Sequence, residues 1–201
     1  MFNSYQLNII KQTETFARNY MKYYDWSHDF NHVLRVKKLA TKIALSESLD
    51  SHEIYQVQLG ALLHDINDDK YKIQNISQKD IIKGFYSDKK IDKDVVDNVV
   101  KIACNTSLSK EMKNNYNIYC KKLHCVQDAD RIESLGAIGI SRYLKYGITI
   151  HDHSLHQIME NLEQRTSFLV QHLKTTTGKE IAKNKIKLID LFLNDYYDSI
   201  I

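Results

Sequence analysis

The sequence predicts an all-α protein folded as one domain. Proline is absent and glycine occurs only 6 times in 201 residues. Sheet-rich folds consume turn residues at every connection, so this shortage favours helices. Apolar residues also recur at three- and four-residue spacing almost throughout. No repeat, low-complexity tract or linker interrupts that pattern.

The elements follow in order. Leu7, Ile10, Phe16 (or Ala17), Tyr20 and Tyr24 mark a first amphipathic helix. From Asp29 to Glu47, Val33, Val36, Leu39, Ala40, Ile43 and Ala44 mark a second. Ser51 is placed to cap a third, in which Ile54, Val57, Ala61 and Leu62 lead into His64-Asp65. Ser77 with Asp80 resembles a capping box before Ile81, Ile82 and Phe85. Val95, Val96, Val99, Val100 and Ala103 mark a helix ending near Asn105. The polar stretch from Ser107 to Asn117 reads as a loop. Helix resumes around Tyr119 and runs through Asp130, Ile132 and Leu135. Two long periodic stretches close the chain, from His153 to Leu173 and from Gly178 to Tyr197, with Thr177 and Glu180 as the expected cap of the last.

Composition limits the function classes. With 43% hydrophobic and 26% charged residues the chain can build a core. Its 28 Lys+Arg against 25 Asp+Glu leave a net charge of +3, without the basic stripe of a nucleic-acid binder. No apolar run reaches the roughly 18 residues of a membrane span. The start, MFNSYQLNIIKQTETFARNY, lacks the basic-then-apolar order of a signal peptide. Cys104, Cys120 and Cys125 form no CxxC pair, which points to reduced thiols and a cytoplasmic setting.

Three segments hold His and Asp where periodicity does not require them: His28-Asp29-Phe30-Asn31-His32-Val33-Leu34-Arg35-Val36, Leu62-Leu63-His64-Asp65-Ile66-Asn67-Asp68-Asp69-Lys70, and Val126-Gln127-Asp128-Ala129-Asp130-Arg131-Ile132-Glu133. Neighbours on a helix diverge by about 100°, so His64 and Asp65 can share an ion only where the backbone relaxes, as at a helix end. Asp65 follows the apolar run Ala61-Leu62-Leu63, and a buried carboxylate needs a cation or a basic partner. His32 and Asp130 can add ligands from two other helices. Two His and two Asp make a mixed N/O set, suited to transition metals rather than calcium, with a coordination position left for water.

HDxxHxxRV, ALLHDIxDxK, VQDADRIESLGAIGISR and TxxGKxIA, in that order, resemble the HD-domain metal-dependent phosphohydrolases. Among these the chain is similar to the small bacterial-type enzymes that act on nucleotides. The resemblance implies an all-α helical bundle spanning 1–201 as a single HD-type domain. Its motif-bearing part is about 28–135, with C-terminal helices of 150–198 packing on it. It implies one divalent ion (Mn, Co, Ni, Fe, Mg or Zn) held by His32, His64, Asp65 and Asp130. Asp130 is preferred to Asp128 because the family ligand follows Ala and precedes a basic residue. Asp68 is the implied general acid/base, and Lys70 and Arg131 the implied phosphate contacts. His28 and Asp29, one turn before His32, fall on the substrate side.

Dinuclear relatives carry further His ligands between the HD pair and the last Asp. Here only His124 lies in that interval, which favours one ion. Lys185 departs from the Arg many relatives carry, and Asn105-Thr106-Ser107 departs from the usual Ser-Phe. The expected activity is hydrolysis of a phosphate ester or anhydride of a small molecule, most often a nucleotide, by a triphosphate pyrophosphohydrolase or a nucleotidase. The alternatives are a catalytically inactive metal- or nucleotide-binding sensor and a purely structural helical domain. A homodimer is left open. The cluster His151, His153 and His156 reads as a polar helix start.

Overall fold

The structure is a computed structural model that describes residues 2–24, 30–67, 76–114, 118–150 and 152–200. Among these the chain forms ten helices and no strand. Residues 1–127 and 128–201 cluster as two units.

The first unit is organised around one helix. α1 (Ser4–Tyr20) begins with a reciprocal cap between Asn3 and Gln6 and buries Ile9, Ile10, Thr13 and Ala17. Leu7, expected on that face, is exposed, and Tyr24 lies beyond the helix end. α2 (Phe30–Ser46) buries Phe30, His32, Val33, Val36, Ala40, Ile43 and Ala44. α3 (Ser51–Leu63) starts on Asp50, which forms the capping box with Glu53, so Ser51 is the first helical residue and not the cap. Asp50 has the extended backbone of a cap, and its carboxylate accepts from the Glu53 amide.

α3 is apolar nearly all round, as a central helix must be. Ile54 to Val57 and Leu59 to Leu63 are buried, and α1, α2 and α5 (Lys93–Cys104) pack on it. Gly60 lets α5 approach, since a Cβ there would overlap Ile102. Glycine inside a helix costs about 1 kcal/mol, whereas each buried Leu or Ile contributes about 1.5–3 kcal/mol, so packing decides. α4 (Gln78–Tyr86) is capped by Ser77, whose hydroxyl accepts from the Asp80 amide and donates to its carboxylate. Where a loop was expected, α6 (Leu108–Asn114) forms a short helix. Buried Leu108 anchors it, and Gln127 donates to Glu111 and to the Asn105 carbonyl.

α7 (Lys121–Glu133) runs unbroken past the division between the units. The second unit then holds α8 (Gly136–Ile150), α9 (Leu155–Gln171) and α10 (Thr176–Ser199), packed pairwise. α8 forms between Leu135 and His153, where the apolar pattern assigned no element. Gly136, at φ +68°, provides the stop, and the Lys185 side chain lies over it. α9 starts on Ser154 in a capping box with Gln157, and His156 reaches Glu160, which supports a polar helix start there. His151 lies outside the described residues. α10 is capped by Thr175 and not by Thr177. No helix among the described residues is long and apolar enough to cross a membrane.

Candidate metal centre

α3 ends at Leu63, and His64 follows as its C-cap with helical backbone angles. Asp65 is the first residue past that cap. The turn closes through the Ile66 amide on the Leu63 carbonyl, at 3.3 Å, and Asn67 takes a left-handed φ of 54°. Asparagine tolerates that conformation and here ends the helix where glycine would be expected. The Asn67 side chain donates to the Ile76 carbonyl at 2.7 Å and accepts from the Tyr20 hydroxyl at 3.2 Å. Its amide donates to the Tyr24 hydroxyl at 3.0 Å. Burial pushes the Tyr20 phenol up from its usual range, so it stays protonated as the donor at neutral pH. Tyr20 and Tyr24 belong to no motif, Asn67 fills a variable position of one, and a left-handed Asn is not visible as periodicity.

His32, His64 and Asp65 come together within the first unit. His32 is 3% exposed on the buried face of α2, which packs on α3. Its Nε2 stands 3.5 Å from Asp65 Oδ2, and His64 Nε2 stands 3.3 Å from Asp65 Oδ1. A ring nitrogen of each histidine lies within 4.8 Å of the other's. His64 Nδ1 is 2.8 Å from the Ala61 carbonyl. A carbonyl only accepts, so Nδ1 holds the proton and, in the neutral ring, Nε2 keeps its lone pair.

That arrangement fits a cation. A lone pair on His64 Nε2 facing a carboxylate oxygen is repulsive unless positive charge lies between them. Metal–ligand bonds of about 2.0–2.2 Å place neighbouring donors about 3.0–3.5 Å apart, which the two imidazole–carboxylate distances match. Asp65 Oδ2 is buried and accepts no hydrogen bond among the described residues. Mixed imidazole and carboxylate donors suit a divalent transition ion.

The second unit holds Asp128, Asp130 and Arg131, all on α7. Asp128 is fully buried and structural. Its carboxylate accepts from the Lys174 amide at 2.9 Å, the Thr175 amide at 2.7 Å and the Thr175 hydroxyl at 2.7 Å. It thereby fixes the start of α10. Asp130 is half-buried. Arg131, expected at phosphate, is 2% exposed and donates to the His172 carbonyl. Lys185 reaches the Leu135 carbonyl at 3.5 Å, a contact a lysine suffices to make. His28, Asp29, Asp68 and Lys70 lie outside the described residues.

Known proteins share this architecture. YpgQ of Bacillus subtilis is 24% identical over 90% of this chain and 88% of its own length. The crystal structure of YpgQ in complex with ADP matches with a TM-score of 0.75 and 23% identity, over 95% of this chain and 97% of that one. An HD-superfamily hydrolase from Bacillus thuringiensis matches with a TM-score of 0.76 and 21% identity, over 96% and 97%. At these identities the structures show a common fold. A model of the HD domain matches residues 29–135, more than half of the chain and the stretch that holds His32, His64 and Asp65. The chain belongs to the HD-domain family.

Proposed function

We propose that this protein is a metal-dependent phosphohydrolase that cleaves a phosphate ester or anhydride of a small molecule, with a nucleotide as the leading substrate class. The observation that carries this reading is the cluster of two imidazoles on one carboxylate with a buried oxygen, His32, His64 and Asp65. Asp130 is assigned as the further ligand. It occupies the family position, whereas Asp128 is committed to three donors from Lys174 and Thr175. A nucleotide is favoured because a relative of matching length, YpgQ, has been crystallised with ADP. Residues 1–201 act in this reading as one HD-type domain, since the family match runs across residue 127. Its setting is the cytoplasm.

When bound, a divalent ion (Mn, Co, Ni, Fe, Mg or Zn) supplies Lewis acidity that eases proton loss from water at neutral pH and offsets phosphoryl charge. His32, His64, Asp65 and Asp130 hold that ion, with the His64 tautomer set by Ala61. Asp68, three residues past Asp65, accepts the proton of the attacking water and returns it to the leaving oxygen. Lys70 holds a phosphoryl oxygen as a point charge. His28 and Asp29 are assigned to substrate binding. Arg131, which also donates to the His172 carbonyl, is assigned with Lys70 to the phosphate.

The test is a screen of nucleoside mono-, di- and triphosphates and simple phosphomonoesters with Mn, Co, Ni, Mg and Zn added in turn. Turnover that requires an added ion is the expected result. Released pyrophosphate marks a triphosphate pyrophosphohydrolase, and inorganic phosphate marks a nucleotidase. Saturable nucleotide binding without product would replace the enzyme with a sensor.

A further inference from the structure

The turn that carries His64 and Asp65 is held from behind by a residue outside every motif. Gln78, the first residue of α4, is buried, and its Nε2 donates to two carbonyls at once, Leu63 at 3.1 Å and His64 at 2.8 Å. These belong to the peptide units on either side of the His64 Cα. Both lie at the end of α3, where carbonyls lack intrahelical donors. A donor shared by the two fixes the rotation of each peptide plane, and so fixes φ and ψ of His64. The direction of the His64 imidazole and that of the Asp65 carboxylate then follow together. The Asn67 bond to the Ile76 carbonyl ties the chain two residues before Gln78 to the same turn, so α4 and the end of α3 are joined at two points.

We propose that Gln78 is the positioning residue of the His64–Asp65 pair. It touches neither ion nor substrate. It acts through the backbone, by presetting the angle between the two ligands before a cation arrives. Its consequence for ion affinity rests on the metal reading above, whereas its effect on the turn does not.

The decisive variant is Gln78→Met, which keeps the length and apolar bulk of the side chain but removes the donor. The control is Thr13→Val, which removes the buried 2.9 Å bond between Thr13 and the Tyr86 hydroxyl. Two readouts are taken on the full chain: amide hydrogen exchange at residues 65–67 without metal, and Mn²⁺ affinity by calorimetry. In Gln78→Met, exchange should rise about tenfold and affinity fall about tenfold, the range found for partners that orient metal ligands. Thr13→Val should lower the melting temperature but leave both readouts at the wild-type level. Gln78→Ala, which admits water to the two carbonyls, should show the same direction with a smaller change and serves if Gln78→Met does not fold. Unchanged exchange, unchanged affinity, or equal changes in Thr13→Val overturns the proposal. A wild-type chain that takes up no Mn²⁺ overturns the metal reading instead, and the exchange result alone then decides the role of Gln78.

Discussion

Two aspartates, one in each unit, show what an identical side chain does in different company. Asp128 is fully saturated: two backbone amides and a hydroxyl converge on its oxygens, and the result is a fixed start for α10. Asp65 is surrounded by imidazole nitrogens, with its buried Oδ2 accepting no hydrogen bond among the described residues. Neutral, correctly aimed donors make a carboxylate part of the scaffold. Lone pairs aimed at a carboxylate make it half of a cation site. Sequence proximity to a motif does not separate the two cases, because Asp128 and Asp130 sit in one motif.

The largest effects should therefore differ in kind. Asp65→Ala should reduce ion affinity at least 100-fold while the melting temperature stays within a few degrees of wild type. Asp128→Ala should cost about 3 kcal/mol of stability, since three buried donors lose a charged acceptor. It should leave ion uptake per folded molecule unchanged. Chemical denaturation and calorimetry on the pair measure both quantities, and an ion-binding defect in Asp128→Ala with normal stability would reverse the assignment.

Gly178→Ala strikes the same scaffold from the other side. Its Cβ would overlap Asp128 Oδ2 and Thr175 Oγ1, so a loss of about 1–3 kcal/mol is expected. Thr175→Val removes a single hydroxyl that serves both Asp128 and the Gly178 amide, for a smaller loss of about 1–2 kcal/mol. Denaturant midpoints rank the two, and neither variant should change metal affinity.

The smallest effect belongs to a satisfied pair in the first unit. Burial holds the Tyr86 phenol well above its usual range, partly offset by its bond to Thr13. The unfolded chain ionises this tyrosine near pH 10 while the folded one keeps the proton. Its contribution should be constant below pH 10 and be lost as the pH rises further. Tyr86→Phe should flatten that alkaline decline in urea titrations; an unchanged slope would contradict it.

Much of this was legible in the sequence. The stripes from Val33 to Ala44 and from Val95 to Ala103 give α2 and α5 within a residue or two, because one buried face repeats every turn. His32, His64 and Asp65, which a motif names, stand next to one another. The misses have local causes. Asp50 and Thr175 cap their helices in place of Ser51 and Thr177, since several residues of similar capping strength stand in a row and packing chooses among them. α6 was hidden because its polarity resembles a loop, and its hold comes from Gln127, sixteen residues away from Glu111. α8 was hidden because Gly136 inside an apolar run does not announce a left-handed stop. Gln78 and Asn67 were invisible for a related reason: they act on carbonyls, which leave no trace in side-chain patterns.

Whether the Asp65 cluster takes up one divalent cation is read by elemental analysis after equilibrium dialysis against Mn²⁺, run on wild type and Asp65→Ala side by side. One ion per wild-type chain and none in the variant is the expected result. Equal metal content in the two proteins, or none in either, would contradict it.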